Sequence, residues 1–321
     1  MIGYALKRLA FAVSLVWAVS FVAFVAFGLS FNPFYSLNLC GGSCKAQRDA
    51  LAVEFHLHDP ILDRYWLWFT GLFHHGFGNA AIVSYGGNTV RAIDPPLWRA
   101  AGITAQLMAT SLVLTVLASV LLGVVAARRP GSGIDVVLRL LAYLTWSMPT
   151  FLTGVLLARW FAPTGWFIVP GVPGGGLLPW VRAMTLPAVT LSLGLIGLYS
   201  RYLRTALLSE LQRPYAVVAR SKGLTESRVT LRHALRNSLI PFVSVLSLDI
   251  SAIVGASLAA DYIFFRGGGL AGFFLNSLGR ADPFILTAVV VVIAGVVAVF
   301  SLLTDLAVGW LDPRVRAGSG D

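Results

Sequence analysis

Long apolar runs alternate with short clusters of basic residues along this chain. Leu9 to Cys44 carries no charge, and its first two thirds are apolar. Ala100 to Ala127, Leu140 to Ala158, Ala183 to Ser200 and Pro283 to Thr304 are also uncharged, and Asn237 to Ala260 is interrupted only by Asp249. A helix that crosses a bilayer needs about 20 mainly apolar residues. The pattern therefore predicts an all-α integral membrane protein of six transmembrane helices, near 9–30, 103–127, 136–158, 184–204, 239–263 and 284–308. The organisation it implies is an N-terminal helix (1–31), an extracytoplasmic segment between helices one and two (32–100), a five-helix core (101–310) and a tail (311–321). Trp160 to Val181 is uncharged as well, but it holds Pro163, Pro170, Pro173, Pro179 and Gly174–Gly176. Those residues break helices, so it reads as a loop or re-entrant segment. The first apolar run is too long for a signal peptide and has no convincing small-residue cleavage site, so it reads as a retained anchor.

Composition agrees with this pattern: 57% of residues are hydrophobic and only 12% charged, where a soluble domain carries about a quarter charged residues. The formal net charge of +10 would suit nucleic acid in a soluble protein, but its distribution argues otherwise. With the N-terminus inside, 15 of the 24 basic residues fall in cytoplasmic segments: Lys7, Arg8, Arg128, Arg129, Arg139, eight between Arg201 and Arg236, and Arg314 and Arg316. That is the positive-inside signature of a multi-pass protein with both termini cytoplasmic. Nucleic-acid binding is excluded as the reason for the charge.

Few residues carry candidate chemistry. No phosphate-binding glycine loop, dinucleotide fingerprint, nucleophile elbow or zinc-protease motif is present, so the chain reads as no enzyme and as holding no cofactor of its own. Cys40 and Cys44, in the string CGGSC, lie on the oxidising side; they are either a tight local disulfide or two free thiols. His56, His58, His74 and His75 share the same outside segment, and nothing in their spacing makes them converge on a metal. Asp249 is an ionisable residue near the middle of a predicted span. A carboxylate near a bilayer midpoint costs at least about 2.5–3.5 kcal/mol, so it is expected to face a cavity or translocation path, the alternative being a protonated or paired packing residue.

The largest inside loop, 205–238, holds most of the string ARSKGLTESRVTLRHALRNSLIP, which runs from Ala219 to Pro241. Gly223 suits a left-handed helix C-cap and Leu224 the apolar contact that accompanies it. Thr225 offers an N-cap for a following helix, with Glu226 in its first turn. Arg228, Arg232 and Arg236 recur every four residues, which places them on one face of an α-helix and calls for nearby anions, lipid phosphates or an acidic partner. The reading is a short helix, a sharp turn and a second helix that enters the membrane near Pro241: a stiff knob at the cytoplasmic face.

This stretch resembles the cytoplasmic EAA loop of ABC importer permeases. Ala219, Gly223 and Pro241 match that motif, while Val217 stands where its leading glutamate would be. RYLRTALLSEL, YAVVARSKGL and RHALRNSLIP together resemble the oligopeptide/dipeptide branch, as do YALKRLAFAVSLVWAVSFVAF, HLHDPILDRYWLWFTGLFHHGFG, LLGVVAARRPGSGIDVVLRLLAYLTWSMPTF and ADYIFFRGGGLAGFFLNSLGRADPFIL in their order along the chain. Asp261 stands where the family commonly has Glu, Gly267 where it has Pro, and Asp249 where Gln is frequent. The resemblance implies the type I permease fold in a bacterial-type cell membrane. It implies a second homologous permease, two ATPase subunits that hold ATP and Mg, and an extracytoplasmic binding protein that delivers peptide. It assigns ATPase docking to a coupling helix within 213–228, carried by Tyr215, Ala219, Arg220, Lys222, Gly223 and Leu224. An ATP-independent secondary transporter or channel for a small polar solute is the rival reading.

Overall fold

The structure is a computed structural model that describes residues 2–31, 45, 49, 52–53, 55–84, 87–248, 250–265, 268–279 and 282–311. The first helix, α1 (Ile2–Ser30), packs along the last, α12 (Pro283–Leu311). Arg8 Nη1 lies 3.3 Å from Asp305 Oδ2, so the start of the first helix and the end of the last share one end of the bundle. Next, α2 (Ile61–His75) buries Tyr65 against α1. The Tyr65 hydroxyl and Ser20 Oγ are hydrogen-bonded at 2.9 Å, and the ring meets Phe21 and Phe24 edge-on. Then follows a hairpin that the apolar pattern did not announce: β1 (Asn79–Ser84) and β2 (Gly87–Ala92) pair antiparallel, from Asn79↔Ala92 to Ser84↔Gly87.

The centre is a pair of long helices, α3 (Asp94–Arg128) and α6 (Leu177–Leu211), of 35 residues each. At 1.5 Å per residue each spans about 52 Å, which exceeds the roughly 30 Å hydrocarbon core and carries both into the flanking water. Small residues let them approach: a Cβ on Gly123 would come within 3.1 Å of the Ser200 carbonyl and of Leu203 Cβ.

The helix expected over 136–158 is not continuous. It is α4 (Gly133–Ser147) followed by α5 (Thr150–Phe161), with a bend of 103° between them. Pro149 causes the break. It has no N–H to donate and disfavours helical geometry in the residue before it, and Met148 is accordingly extended, at φ −82° and ψ 125°. The Pro/Gly-rich stretch is a loop as expected, but α6 begins at Leu177, earlier than 184. The loop is sewn down by Arg182 Nη2 to the Gly165 carbonyl (2.7 Å) and by the Gly171 N–H to the Phe264 carbonyl (2.9 Å).

After α6 come α7 (Pro214–Ser221), α8 (Glu226–Arg228), a π-helical turn (Val229–Ala234) and α9 (Leu235–Leu248). Next, α10 (Ile250–Phe265) leads to α11 (Leu270–Gly279). The fifth expected span, 239–263, is thus covered by α9 and α10, and Asp249 between them lies outside the described residues. Among the described residues four helices are long and apolar enough to cross a membrane, or six if the bent pairs α4–α5 and α10–α11 each count as one span. The all-α, multi-span architecture is as the sequence predicts, with the hairpin added.

Three apolar clusters fill the bundle from end to end. Leu97, Ala288 and Val289 centre the first, Leu107, Met184 and Phe264 the second, Tyr199, Leu203 and Phe242 the third. Between the first two sits a polar knot. Asp261 Oδ2 accepts from Thr104 Oγ1 (3.1 Å) and from the Ala271 N–H (2.9 Å), while Thr104 Oγ1 accepts from the Leu270 N–H (3.0 Å). All of it is buried. The knot satisfies the otherwise open N–H groups at the start of α11 and ties that helix to α3 and α10.

Candidate functional site

At the end of the bundle shared by the chain's first and last helices, α6 runs into the short α7. Pro214 at the first helical position starts α7, where a missing N–H is harmless. Its termination is a Schellman motif. Gly223 has φ +77°, the Gly223 N–H reaches the Arg220 carbonyl (2.9 Å) and the Leu224 N–H reaches the Ala219 carbonyl (3.3 Å). Leu224 then packs with Ala216, Ala219 and Val229, a small core with Leu211 and Tyr215 at its edge. The cap read from the string SKGL is therefore present, with both of its hydrogen bonds and its apolar contact.

Arg220 is the strap of this knob. Its Nε and Nη2 hold both carboxylate oxygens of Glu226 at 2.9 and 2.7 Å, and its Nη1 donates to the Leu211 carbonyl at 2.9 Å. One guanidinium thus joins the end of α6, the end of α7 and the start of α8. The hydrogen-bonded guanidinium holds the Glu226 carboxyl below the ordinary glutamate range, against a smaller opposing effect of burial. The same pairing raises Arg220. Tyr215 donates to Glu210 Oε2 at 2.7 Å, and burial, then that carboxylate, pushes its phenol up.

The six residues read as the docking set divide into two groups. Tyr215, Ala219 and Leu224 pack into the knob's small core and Arg220, itself exposed, straps it through its hydrogen bonds, whereas Lys222 and Gly223 are on its exposed tip. The outer face also carries Val217 and Val218, 53% and 52% exposed, which the sequence reading did not select. The signal for them was their place beside Ala216 and Ala219, the two small residues that face inward. Thr225 occupies the N-cap position of α8, but its side chain makes no capping hydrogen bond; the Arg220–Glu226 pair holds that turn instead. Arg228, Arg232 and Arg236 are all exposed. The backbone between them is π-helical over Val229–Ala234, so their spacing of four is not the α-helical stripe expected. Asp249, Cys40 and Cys44 lie outside the described residues.

Sequence reasoning also missed a buried ion pair above the knob. Asp135 of α4 receives Arg204 Nε and Nη2 of α6 at 2.6 and 2.7 Å and the Gly131 N–H at 2.9 Å. The two partners are 69 positions apart, so nothing local in the chain announces them.

The chain is similar in sequence to known proteins. The profile of a family described as "Binding-protein-dependent transport system inner membrane component" matches residues 119–317. The oligopeptide transport system permease protein OppB of Mycobacterium tuberculosis is 30% identical, over 98% of this chain and 99% of its own length. The oligopeptide transport system permease protein AppB of Bacillus subtilis is 27% identical, over 98% and 100%. The dipeptide transport system permease protein DppB of the same organism is 26% identical, over 98% of both. With a family match over more than half of its length and relatives aligned end to end, the chain belongs to the inner-membrane permeases of binding-protein-dependent ABC peptide importers.

Proposed function

We propose that this chain forms one half of the membrane pathway of an ATP-driven peptide importer. A second, homologous permease completes the pore, two ATPase subunits carry ATP and Mg, and an extracytoplasmic binding protein delivers the peptide. The printed names of the relatives, oligopeptide and dipeptide permeases, support the cargo class. The basic end of the bundle, with both termini, faces the cytoplasm by the positive-inside rule.

The observation that carries the coupling role is the construction of the knob. Its outer face presents Val217, Val218 and Lys222, and its underside is fastened to α6 and α8 through Arg220. A push on that face passes into a 35-residue helix rather than into slack loop. ATP-driven closure of the ATPases on two such knobs swings the spans between inward- and outward-open states. The chain itself makes and breaks no covalent bond. Asp249, which no other acid accompanies within 237–260, is assigned to the pathway, and Asp249→Asn is expected to change uptake or its pH dependence.

The test is purification of the chain in mild detergent with a crosslinker placed at Lys222→Cys. The expected products join it to a nucleotide-hydrolysing subunit, with two permeases per pair of ATPases. Peptide uptake by the chain alone in liposomes, without ATPases, would overturn the reading.

A further inference from the structure

We infer that the cavity between α4 and α6 at the knob end of the bundle is a binding site for the headgroup of an anionic phospholipid. The cavity measures about 380 Å³ and is lined by Arg139, Arg201, Arg204, Tyr143, Tyr202 and Thr205. Asp135 is the one carboxylate paired with these arginines among the described residues. It is fully buried beneath the cavity floor and is taken up by Arg204, with Arg139 Nε at 3.6 Å. Among the described residues no carboxylate pairs with Arg201; its guanidinium stacks over the Tyr143 ring, 4.1 Å from the centroid. Three guanidiniums against one carboxylate leave two positive charges in a concave, partly desolvated place. The bidentate Asp135–Arg204 pair keeps the floor rigid, so the site is built before any ligand arrives.

The surroundings select the occupant. Beside the cavity, Leu140 and Leu144 are exposed on the flank of α4 next to Tyr143, an oily edge that acyl chains can follow toward the middle of the bundle. The cavity lies at the basic end, with two tyrosines at its rim, which is the composition of the membrane–water interface. A phosphate held by Arg139 and Arg201 with chains along α4 satisfies both halves of the surface, and basic pockets between spans on the cytoplasmic side bind such headgroups. Arginine suits the task because its planar fork meets phosphate oxygens two at a time. The inference depends on the importer reading only for which leaflet the cavity meets. Its test uses no ATP, so the two fail separately.

The experiment is thermal melting and native mass spectrometry of the full chain with its co-purified subunits, delipidated and then returned to lipid. Phosphatidylglycerol in a phosphatidylcholine background is expected to raise the melting temperature and to remain bound, while phosphatidylcholine alone does neither. Arg139→Gln with Arg201→Gln is expected to weaken retention about thirtyfold, at about fivefold per cation near a lipid surface. Arg128→Gln with Arg129→Gln, which removes two charges at the same end outside the cavity, is expected to weaken it far less. Equal loss in the two double variants means diffuse charge and overturns the site. Equal stabilisation by soluble glycerol phosphate overturns the lipid in favour of a free anion. Crosslinking of Leu140→Cys to the second permease shows a protein on that edge and also overturns it. If the cavity variant fails to assemble, Arg201→Lys, which keeps the charge and loses the fork, is to give intermediate retention; unchanged retention there overturns the geometry.

Discussion

At the scale of single residues, the knob depends on one backbone angle and one guanidinium. Gly223 sits at positive φ with nothing within 4 Å of where a Cβ would stand. A side chain there is therefore opposed by backbone conformation alone, about 1–2 kcal/mol for an ordinary residue. Gly223→Val is expected to loosen the cap and to lower peptide uptake while ATP hydrolysis by the complex continues; Gly223→Asn, which tolerates this region better, is expected to lie between. Unchanged uptake in the valine variant would remove the knob from the coupling path. The Arg220–Glu226 pair makes a pH prediction. Because the folded glutamate is held below its ordinary range, the pair's contribution is complete above the unfolded value of about 4.3. It is lost as pH falls through the lower folded value. The pair is partly exposed, so it is worth on the order of 0.2–1 kcal/mol. Glu226→Gln is expected to speed proteolysis at 212–228 at neutral pH and to abolish the acid dependence of that cleavage. Gly223 was legible from the string alone, because a cap motif is written in consecutive residues. Arg220's inward role was not: a lone arginine in sequence reads equally as a docking group or a strap, and only the fold brings the Leu211 carbonyl to it.

At the scale of elements, close contacts and polar ties decide which helices touch. Gly197 of α6 lies against α4: a Cβ there would meet the Ala142 carbonyl at 2.6 Å and Thr145 Oγ1 at 2.5 Å. The obstacle includes backbone, which cannot swing away. Gly197→Leu is expected to destabilise the α4–α6 packing by about 1–3 kcal/mol or more, seen as a lower melting temperature in detergent. The Thr104–Asp261 knot gives a second case. Thr104→Val keeps the shape but leaves the Leu270 N–H without its acceptor and Asp261 with one donor fewer. Each such loss is worth about 1–3 kcal/mol when buried. The expected outcome is faster hydrogen exchange at Leu270 and Ala271 with α6 unaffected; no change there would mean that the knot is incidental. The break in the third span belongs to this scale too. A count of apolar residues runs through Pro149 without notice, because hydropathy registers transfer to lipid and not the N–H that proline lacks.

At the scale of the whole molecule, the long α3–α6 pair provides the frame on which the knob and the hairpin that precedes α3 stand at opposite ends. A push at α7 is therefore expected to appear at the far end. Spin labels at Lys222→Cys and in α11 are expected to change their separation when the assembled complex binds a non-hydrolysable nucleotide. A fixed distance would mean that α6 does not carry the motion.

The sequence by itself determined the number of apolar runs, the side on which the charge gathers, the cap at Gly223 and the family, because each is written in residues close together in the chain. Hydropathy, charge asymmetry and turn chemistry are local quantities, and a membrane makes them decisive by forbidding unpaired backbone in lipid. The tertiary structure decided what depends on distant partners: Arg204 against Asp135, Thr104 against Asp261 and Leu270, and the cavity of arginines between α4 and α6. Those pairings follow from which helix faces which. That choice is made by shape and small-residue contact across the bundle, a property no single stretch of chain contains.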